Sequence, residues 1–365
     1  MSAVPVKPAG RIFACESHYL RMSGLLVVLL LSGVTSALGA DELEGRKIIS
    51  ARVSNLFMQE RFGELERLAD QYRMTGERTS SGLWKLTLFY SGISDVADGN
   101  NINETYWNSI EARARRWVEE YPASPTPRIA YSLILIGHAW KFRGSGWAEE
   151  VNPDARKPFH EYLNKARVYL LEHKDIAGSD PRWYEAMLSV ALAEDWDIKR
   201  FNKLVDEATA RHPYFYQIYF GAINYLTPKS HGNRQQIEAF ANFAVSKTVD
   251  MDGMGMYARV YWYAAQAHFR DHLFTDSSVV WDKMKKGIAD VLQRYPDQWN
   301  INNFAHFACL AWDKDETRGL MGRIQGAPIP QAWEDRTQYQ QCRTWAFTGS
   351  PGPARLAAPA TSRGG

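Results

Sequence analysis

The segment at residues 140–147, with the sequence WKFRGSGW, is predicted to be a loop and carries the densest set of groups that could bind a ligand. Its two glycines have no side chain, so the backbone there can approach another molecule closely. Arg143 offers a fork of donors that fits a carboxylate or a phosphate, and Trp140 and Trp147 could flank the bound group. The segment lacks the Gly-Lys-Ser/Thr ending of a phosphate-binding P-loop. The alternative is an interhelical turn in which Arg143 caps carbonyls or pairs with a structural acid.

Arg259 is a second candidate, because it stands in the aromatic stretch 256–269. A charge among large rings must reach solvent, stack on a ring or find a partner. One interpretation is an ion pair with Asp282 or Glu238, and the other is an arginine that lines a concave groove between stacked helices. Together the two regions predict five ligand-binding residues: Trp140, Arg143, Trp147, Arg259 and Trp262.

Motifs for catalysis and for cofactor binding are missing from the sequence. There is no Gly-x-Ser-x-Gly nucleophile motif and no His-Glu-x-x-His zinc motif. His268 and His272 are four residues apart and could face one metal ion, yet the spacing supplies no third ligand. We therefore expect no catalytic residue, no metal and no cofactor.

The amino-terminal residues have the order of a secretory signal peptide. A basic region ends at Arg21, an apolar run covers residues 25–31, and small residues follow as far as Ala40. The apolar run is shorter than the roughly 20 residues that span a bilayer. Cleavage after Gly39 or Ala40 would leave an exported chain, periplasmic or extracellular in a bacterium. An uncleaved anchor and a start at Met22 remain as alternatives.

Charge and composition narrow the classes of partner. The chain of 365 residues is 45% hydrophobic and 23% charged, which is typical of a folded protein with a large core. Its formal net charge is only +2, and the first 40 residues supply that excess. Such a body has no general attraction for nucleic acid, so we expect none as a partner. We also expect no stable membrane insertion of the mature chain.

Two cysteines, Cys309 and Cys342, remain once the signal peptide is removed together with Cys15. Export would place this pair in an oxidising compartment, where disulfides persist. The sequence allows either a disulfide or two buried thiols, because it does not give the distance between their Cα atoms.

Three ring-plus-proline steps mark joints between helices: Tyr121-Pro122, His212-Pro213 and Tyr295-Pro296. At each step an amphipathic stretch ends and an apolar, aromatic stretch begins, and proline suits the first turn of a helix better than its interior. Asp180-Pro181 opens another helix in the same way. No stretch alternates with the period of a strand.

This pattern predicts an all-α fold, a degenerate stack of tetratricopeptide-like helix pairs that forms an α-solenoid or a curved helical bundle. The intervals between these prolines are 59, 32 and 83 residues, so the repeat is not regular. We expect the helical domain at residues 41–345 and a disordered tail at 346–365, which is rich in Gly, Pro and Ala.

Short blocks in a fixed order carry a resemblance to a known family. They include residues 81–86 (SGLWKL), 139–146 (AWKFRGSG), 180–184 (DPRWY) and 281–287 (WDKMKKG). With these blocks the chain resembles a bacterial family of tetratricopeptide-like domains of unknown function, which are often exported. The resemblance covers about residues 56–345 and departs from the family pattern at Ser230, where a ring is expected before His231-Gly232. It implies a helical fold and no known activity.

The prediction for function follows from these features. We expect a non-catalytic exported scaffold or binding protein that recognises a peptide or protein partner through a concave, aromatic-rich surface. The alternative is an envelope enzyme or glycan-binding protein that uses an aromatic and acidic groove. The sequence does not determine the oligomeric state.

Overall fold

The computed structural model describes residues 42–97, 103–144, 153–333 and 336–348. These ranges contain seventeen α-helices and no β-strand, apart from an isolated bridge between Arg78 and Trp84. The expected all-α stack of helix pairs is confirmed. The helices are α1 (Glu42–Met58), α2 (Phe62–Thr75), α3 (Lys85–Asp95), α4 (Glu104–Glu120), α5 (Pro125–Arg143), α6 (Pro153–Glu172), α7 (Lys174–Ala177), α8 (Pro181–Ala193), α9 (Ile198–Arg211), α10 (Tyr216–Leu226), α11 (Arg234–Asp252), α12 (Gly255–Ala264), α13 (Leu273–Asp276), α14 (Trp281–Arg294), α15 (Gln298–Leu310), α16 (Lys314–Met321) and α17 (Arg336–Phe347).

The predicted domain boundaries fall near the limits of the described residues. The predicted signal peptide at 1–40 lies outside them, as does the predicted tail from residue 349 onward. At the boundary between the helical domain and the tail, α17 continues to Phe347, two residues beyond the predicted end of the helical domain.

The three ring-plus-proline steps share one backbone geometry. Tyr121, His212 and Tyr295 follow the last residues of α4, α9 and α14, with φ of −123°, −135° and −132° and ψ of 65°, 59° and 68°. Each ring residue still donates its backbone N–H to the carbonyl four residues earlier. The proline that follows has no N–H and cannot extend the helix. The next helix begins within a few residues, so the predicted joints are confirmed.

The helices that follow these joints belong to an inner layer. Here α1 packs on α3, α3 on α5, α5 on α8, α8 on α10, and α10 on α12. Trp262 of α12 then contacts Trp299 and Phe304 of α15. The more charged helices α2, α4, α6, α9, α11, α14 and α16 pack against this series from outside. The aromatic stretches are buried because they form the inner layer, where their apolar area is removed from water.

The inner series closes on itself, because α15 also packs on α1. At this contact the guanidinium of Arg46 lies over the ring of Trp299, with 5.8 Å between Cζ and the ring centroid. An open solenoid keeps its first and last helix pairs apart. In this chain they touch, so α1, α3, α5, α8, α10, α12 and α15 make a closed series.

A disulfide attaches the last helix to this series. Cys309 of α15 and Cys342 of α17 are bonded at an S–S distance of 2.02 Å, with their Cα atoms 5.9 Å apart. Both residues are buried. Of the two alternatives that the sequence leaves open, the structure has the disulfide.

Candidate binding sites

The five predicted ligand-binding residues do not form one site. Trp140 and Arg143 lie at the carboxyl end of α5, whereas Arg259 and Trp262 lie on α12. Trp147 lies outside the described residues. The prediction of a loop at residue 140 is wrong for its first part, since α5 continues through Arg143 before Gly144 ends it with φ of 69°. Regular hydrogen bonding persists there because the sequence offers no residue that breaks a helix before that glycine.

The first candidate site is the α5–α6 end, which we define as Trp140, Lys141, Phe142 and Arg143 of α5 with Tyr162 and Lys165 of α6. Its three rings are half-buried, so each keeps an edge or face that solvent reaches. Arg143 lies over the Trp140 ring at 5.1 Å, and Lys165 lies over the Tyr162 ring at 4.2 Å. Partial burial lowers the pKa of Arg143 from its usual range. The combination of rings and cations suits a partner that has both apolar and acidic groups.

His138 forms the buried floor of the α5–α6 end. Its ring stacks on Trp107 at 4.3 Å and on Phe142 at 5.2 Å. The Nδ1 atom lies 2.8 Å from a carboxylate oxygen of Glu111, and the Nε2 atom lies 3.2 Å from one of Glu104. Both ring nitrogens thus lie near a carboxylate, and the Nδ1 contact with Glu111 has the geometry of a hydrogen bond.

Sequence reasoning missed His138 because its partners come from another helix. Glu104 and Glu111 are seven residues apart on α4, which places them on one helix face. That spacing is common on solvated helices and points to no particular partner. Only the packing of α4 on α5 brings both carboxylates to the ring.

Arg259 is buried, with 8% of its surface exposed. Its Nη2 atom donates to the backbone carbonyl of Ser81 at 2.8 Å. The predicted ion pair with Glu238 or Asp282 is wrong: Glu238 instead accepts hydrogen bonds from Tyr257, at 2.7 Å, and from neighbours on α12 and α14. The predicted position in an open groove is also wrong, because the segment before α3 covers the guanidinium. Burial lowers the pKa of Arg259 from its usual range.

Trp262 belongs to the core and not to a ligand-binding surface. Its ring contacts Trp299, Phe304 and Phe307 of α15, with centroid distances of 6.0, 5.3 and 6.5 Å. It therefore connects two inner helices. The sequence could not separate this position from an exposed ring, since periodicity shows which side of a helix is apolar and not what packs on it.

A second arginine that the sequence analysis did not single out lies beside Arg259. Arg78 donates from Nη1 to the carbonyl of Gly82 at 2.9 Å and from Nη2 to the carbonyl of Tyr214 at 2.8 Å. Its Cζ atom lies 4.4 Å from the centroid of the Tyr216 ring, and that of Arg259 lies 5.1 Å from the same centroid. We call Arg78, Arg259 and Tyr216 the arginine pair site.

The segment before α3 is fixed by Glu42, the first residue of α1. The carboxylate accepts hydrogen bonds from the hydroxyls of Ser80 and Ser81, each at 2.6 Å, and of Thr79 at 2.7 Å. Burial by itself would raise the pKa of Glu42, but Arg46 and these hydrogen bonds outweigh it and lower the pKa to about 2. The carboxylate is thus charged, and it is held by hydrogen bonds and by Arg46 within the protein. Its role is therefore structural.

The possible metal ligands remain dispersed. Within the part of the chain that the structure describes, no group of three or more His, Cys, Asp or Glu side chains could hold a metal ion. His306 lies 3.6 Å from Asp271, and its Nδ1 atom contacts the carbonyl of Ala332 at 3.1 Å. Burial lowers the pKa of His306 to about 4, so the ring is neutral at neutral pH.

Two further findings bear on the class of protein. None of the helices in the described ranges is both long and apolar enough to cross a bilayer. The chain matches no family model, no curated protein and no solved structure.

Proposed function

We propose that the protein is a non-catalytic exported binding protein, and that its α5–α6 end takes a peptide or protein partner. One observation carries the proposal: Trp140, Phe142 and Tyr162 are half-buried rings, and cationic side chains lie over two of them. Aromatic and arginine side chains contribute most of the binding energy at protein interfaces. Export rests on the predicted signal peptide.

The charges at this end support a partner with acidic groups. Lys141, Arg143 and Lys165 supply three cations around the rings. Of the two nearby carboxylates on α4, Glu104 pairs with Lys141 at 3.4 Å and lies 3.2 Å from His138, whereas Glu111 contacts His138. The indole N–H of Trp140 is buried and has no acceptor among the described residues.

The same geometry is the reason that we propose binding and not catalysis. A pair of carboxylates that acts on a glycosidic bond must face the substrate. Here Glu111 is buried against His138, and the exposed Glu104 lies between His138 and Lys141. The carboxylates stabilise the floor of the site.

Site-specific photocrosslinking tests the location of the partner. A photoreactive amino acid at Lys141, which is exposed, is expected to capture a peptide or protein from envelope extract. The same group at the exposed Lys203 of α9 is the matched control, since it lies on another outer helix. Equal capture at both positions, or none at Lys141, would exclude the α5–α6 end.

A pair of substitutions then tests the rings and cations. The double variant Trp140→Ala/Arg143→Ala is expected to lose about 2 kcal/mol or more of binding free energy, because both residues are of the hot-spot type. Arg200→Ala is the control, as Arg200 of α9 is an exposed arginine that lies over the Trp196 ring at 3.2 Å, away from the α5–α6 end. Circular dichroism establishes that both variants fold. If the double variant binds like the control, the proposal fails.

A further inference from the structure

Arg78 and Arg259 share the ring of Tyr216 without an acidic partner of their own. No carboxylate of the described residues lies within 4.0 Å of either guanidinium. Their hydrogen bonds go to the backbone carbonyls of Ser81, Gly82 and Tyr214. Two like charges thus lie beside one ring, and one of the two is buried.

The surroundings add to the positive potential. Tyr216 is the first residue of α10, and the amino end of a helix carries a partial positive charge. The closest acid, Asp252, already accepts a hydrogen bond from the hydroxyl of Tyr216 at 2.8 Å and lies 3.6 Å from Arg294. Burying a charge is costly unless a charge of opposite sign is near. Local packing alone therefore does not compensate the two guanidiniums.

We propose that the arginine pair site binds a small oxyanion, a carboxylate or a phosphate group. Guanidinium groups bind both with paired N–H donors, and an anion would compensate the two positive charges together. This site is separate from the α5–α6 end, so the proposal does not depend on the proposed function.

The geometry limits the side from which a ligand enters. Gly82 lies against Arg259 so closely that a Cβ atom there would be 2.6 Å from Nη2 and 2.8 Å from the Tyr295 ring. The Gly82 side of the Arg259 guanidinium is therefore closed to a ligand. Arg78 and Tyr295 are half-buried, so solvent reaches the site from their side.

The competing explanation is that Arg259 only holds the segment before α3 in place through the carbonyl of Ser81. The substitution Arg259→Gln removes the positive charge, and its melting temperature without added anion measures the structural loss separately from anion binding. Arg78→Gln removes the charge of the other guanidinium and serves as the second variant if the first fails to fold. Arg115→Gln removes a surface arginine elsewhere and is the control.

The experiment measures thermal stability and binding heat of the purified protein with three probes. Sodium phosphate and sodium acetate are compared with sodium chloride at equal ionic strength, which removes general screening. An anion that binds only the folded state raises the melting temperature with its concentration. Phosphate or acetate is expected to stabilise the wild type more than chloride does, and the stronger of the two identifies the kind of oxyanion.

The variants show whether the anion binds at the arginine pair site. Arg259→Gln and Arg78→Gln are each expected to lower the affinity for that anion by about tenfold or more, since each removes a charge-assisted contact. Arg115→Gln should bind like the wild type. The proposal is overturned if neither anion stabilises the wild type beyond chloride, or if the folded arginine variants bind the anion as well as the control does.

Discussion

Glu42 and Ser81 are joined by two hydrogen bonds across 39 residues of sequence. The hydroxyl of Ser81 donates to Oε1 of Glu42 at 2.6 Å, and its backbone N–H donates to Oε2 at 3.1 Å. The carbonyl of Ser81 in turn accepts from Arg259 at 2.8 Å and from Asn300 at 3.0 Å. One residue in the segment before α3 therefore connects α1, α12 and α15, at the place where the inner series closes.

Replacement of Glu42 by Gln should weaken the fold in a pH-dependent way. The pKa of Glu42 is lowered from 4.5 to about 2 in the folded protein, so its contribution is present above about pH 4.5 and is lost as the pH falls toward 2. We expect Glu42→Gln to lose about 2 kcal/mol at pH 7 and little near pH 2. Urea unfolding at several pH values measures the difference. Glu44→Gln changes an exposed position in the same helical turn and is the control. An equal loss of stability for Glu42→Gln at all pH values would contradict the prediction.

Asp180 should be among the most sensitive positions of the core. It is fully buried and accepts hydrogen bonds from Tyr90 at 2.7 Å and from Arg73 at 2.8 Å. Asp180→Asn leaves Arg73 without this charge partner inside the protein, which typically costs about 3 to 5 kcal/mol. Asp70→Asn removes the exposed partner of the same arginine and should cost less than about 1 kcal/mol. Chemical denaturation of both variants gives the comparison, and similar losses would argue against a buried network.

Replacement by alanine should change the stability of the protein in opposite directions at two glycines inside helices. At Gly92 of α3, a Cβ atom would lie 2.4 Å from the carbonyl oxygen of Ser50 and 2.8 Å from the Cβ of Val53, both on α1. Gly92→Ala must push the two helices apart, at a cost of about 1 to 3 kcal/mol. At Gly319 of α16 nothing lies within 4 Å, so Gly319→Ala should stabilise by about 0.5 to 1 kcal/mol. Melting temperatures test the signs, and a neutral Gly92→Ala would mean that α1 and α3 are less tightly packed.

Loss of the disulfide should destabilise the protein without removing its helices. The bond spans 33 residues, and the double variant Cys309→Ser/Cys342→Ser is expected to lose about 2 to 4 kcal/mol of unfolding free energy. Far-ultraviolet circular dichroism should stay nearly the same, because the buried contacts of α15 persist. A thiol assay on the denatured, unreduced mature protein provides a direct check. Two reactive thiols per chain would exclude the bond.

Much of the local structure could be predicted from the sequence because its causes are local. The spacing of apolar residues placed the helices, and the steps at Pro122, Pro213 and Pro296 placed three of their joints. Asp180 caps α8 as expected, since its side chain accepts a hydrogen bond from the backbone N–H of Arg182 at 2.8 Å. Each of these features depends on residues within about one or two turns of each other.

The tertiary structure decided which of those helices meet, and with that the candidate sites. Arg259 binds the carbonyl of Ser81, 178 residues away, so neither of its predicted environments was correct. Trp140 and Trp262 look alike in sequence, but one is half-buried at the α5–α6 end and the other is enclosed by α15. Helical periodicity determines the apolar side of each helix, whereas the partner of that side depends on contacts between distant segments. The sequence by itself therefore determined an all-helical chain of paired elements, and only the packing of first against last helices closed the series and brought Arg78 beside Arg259.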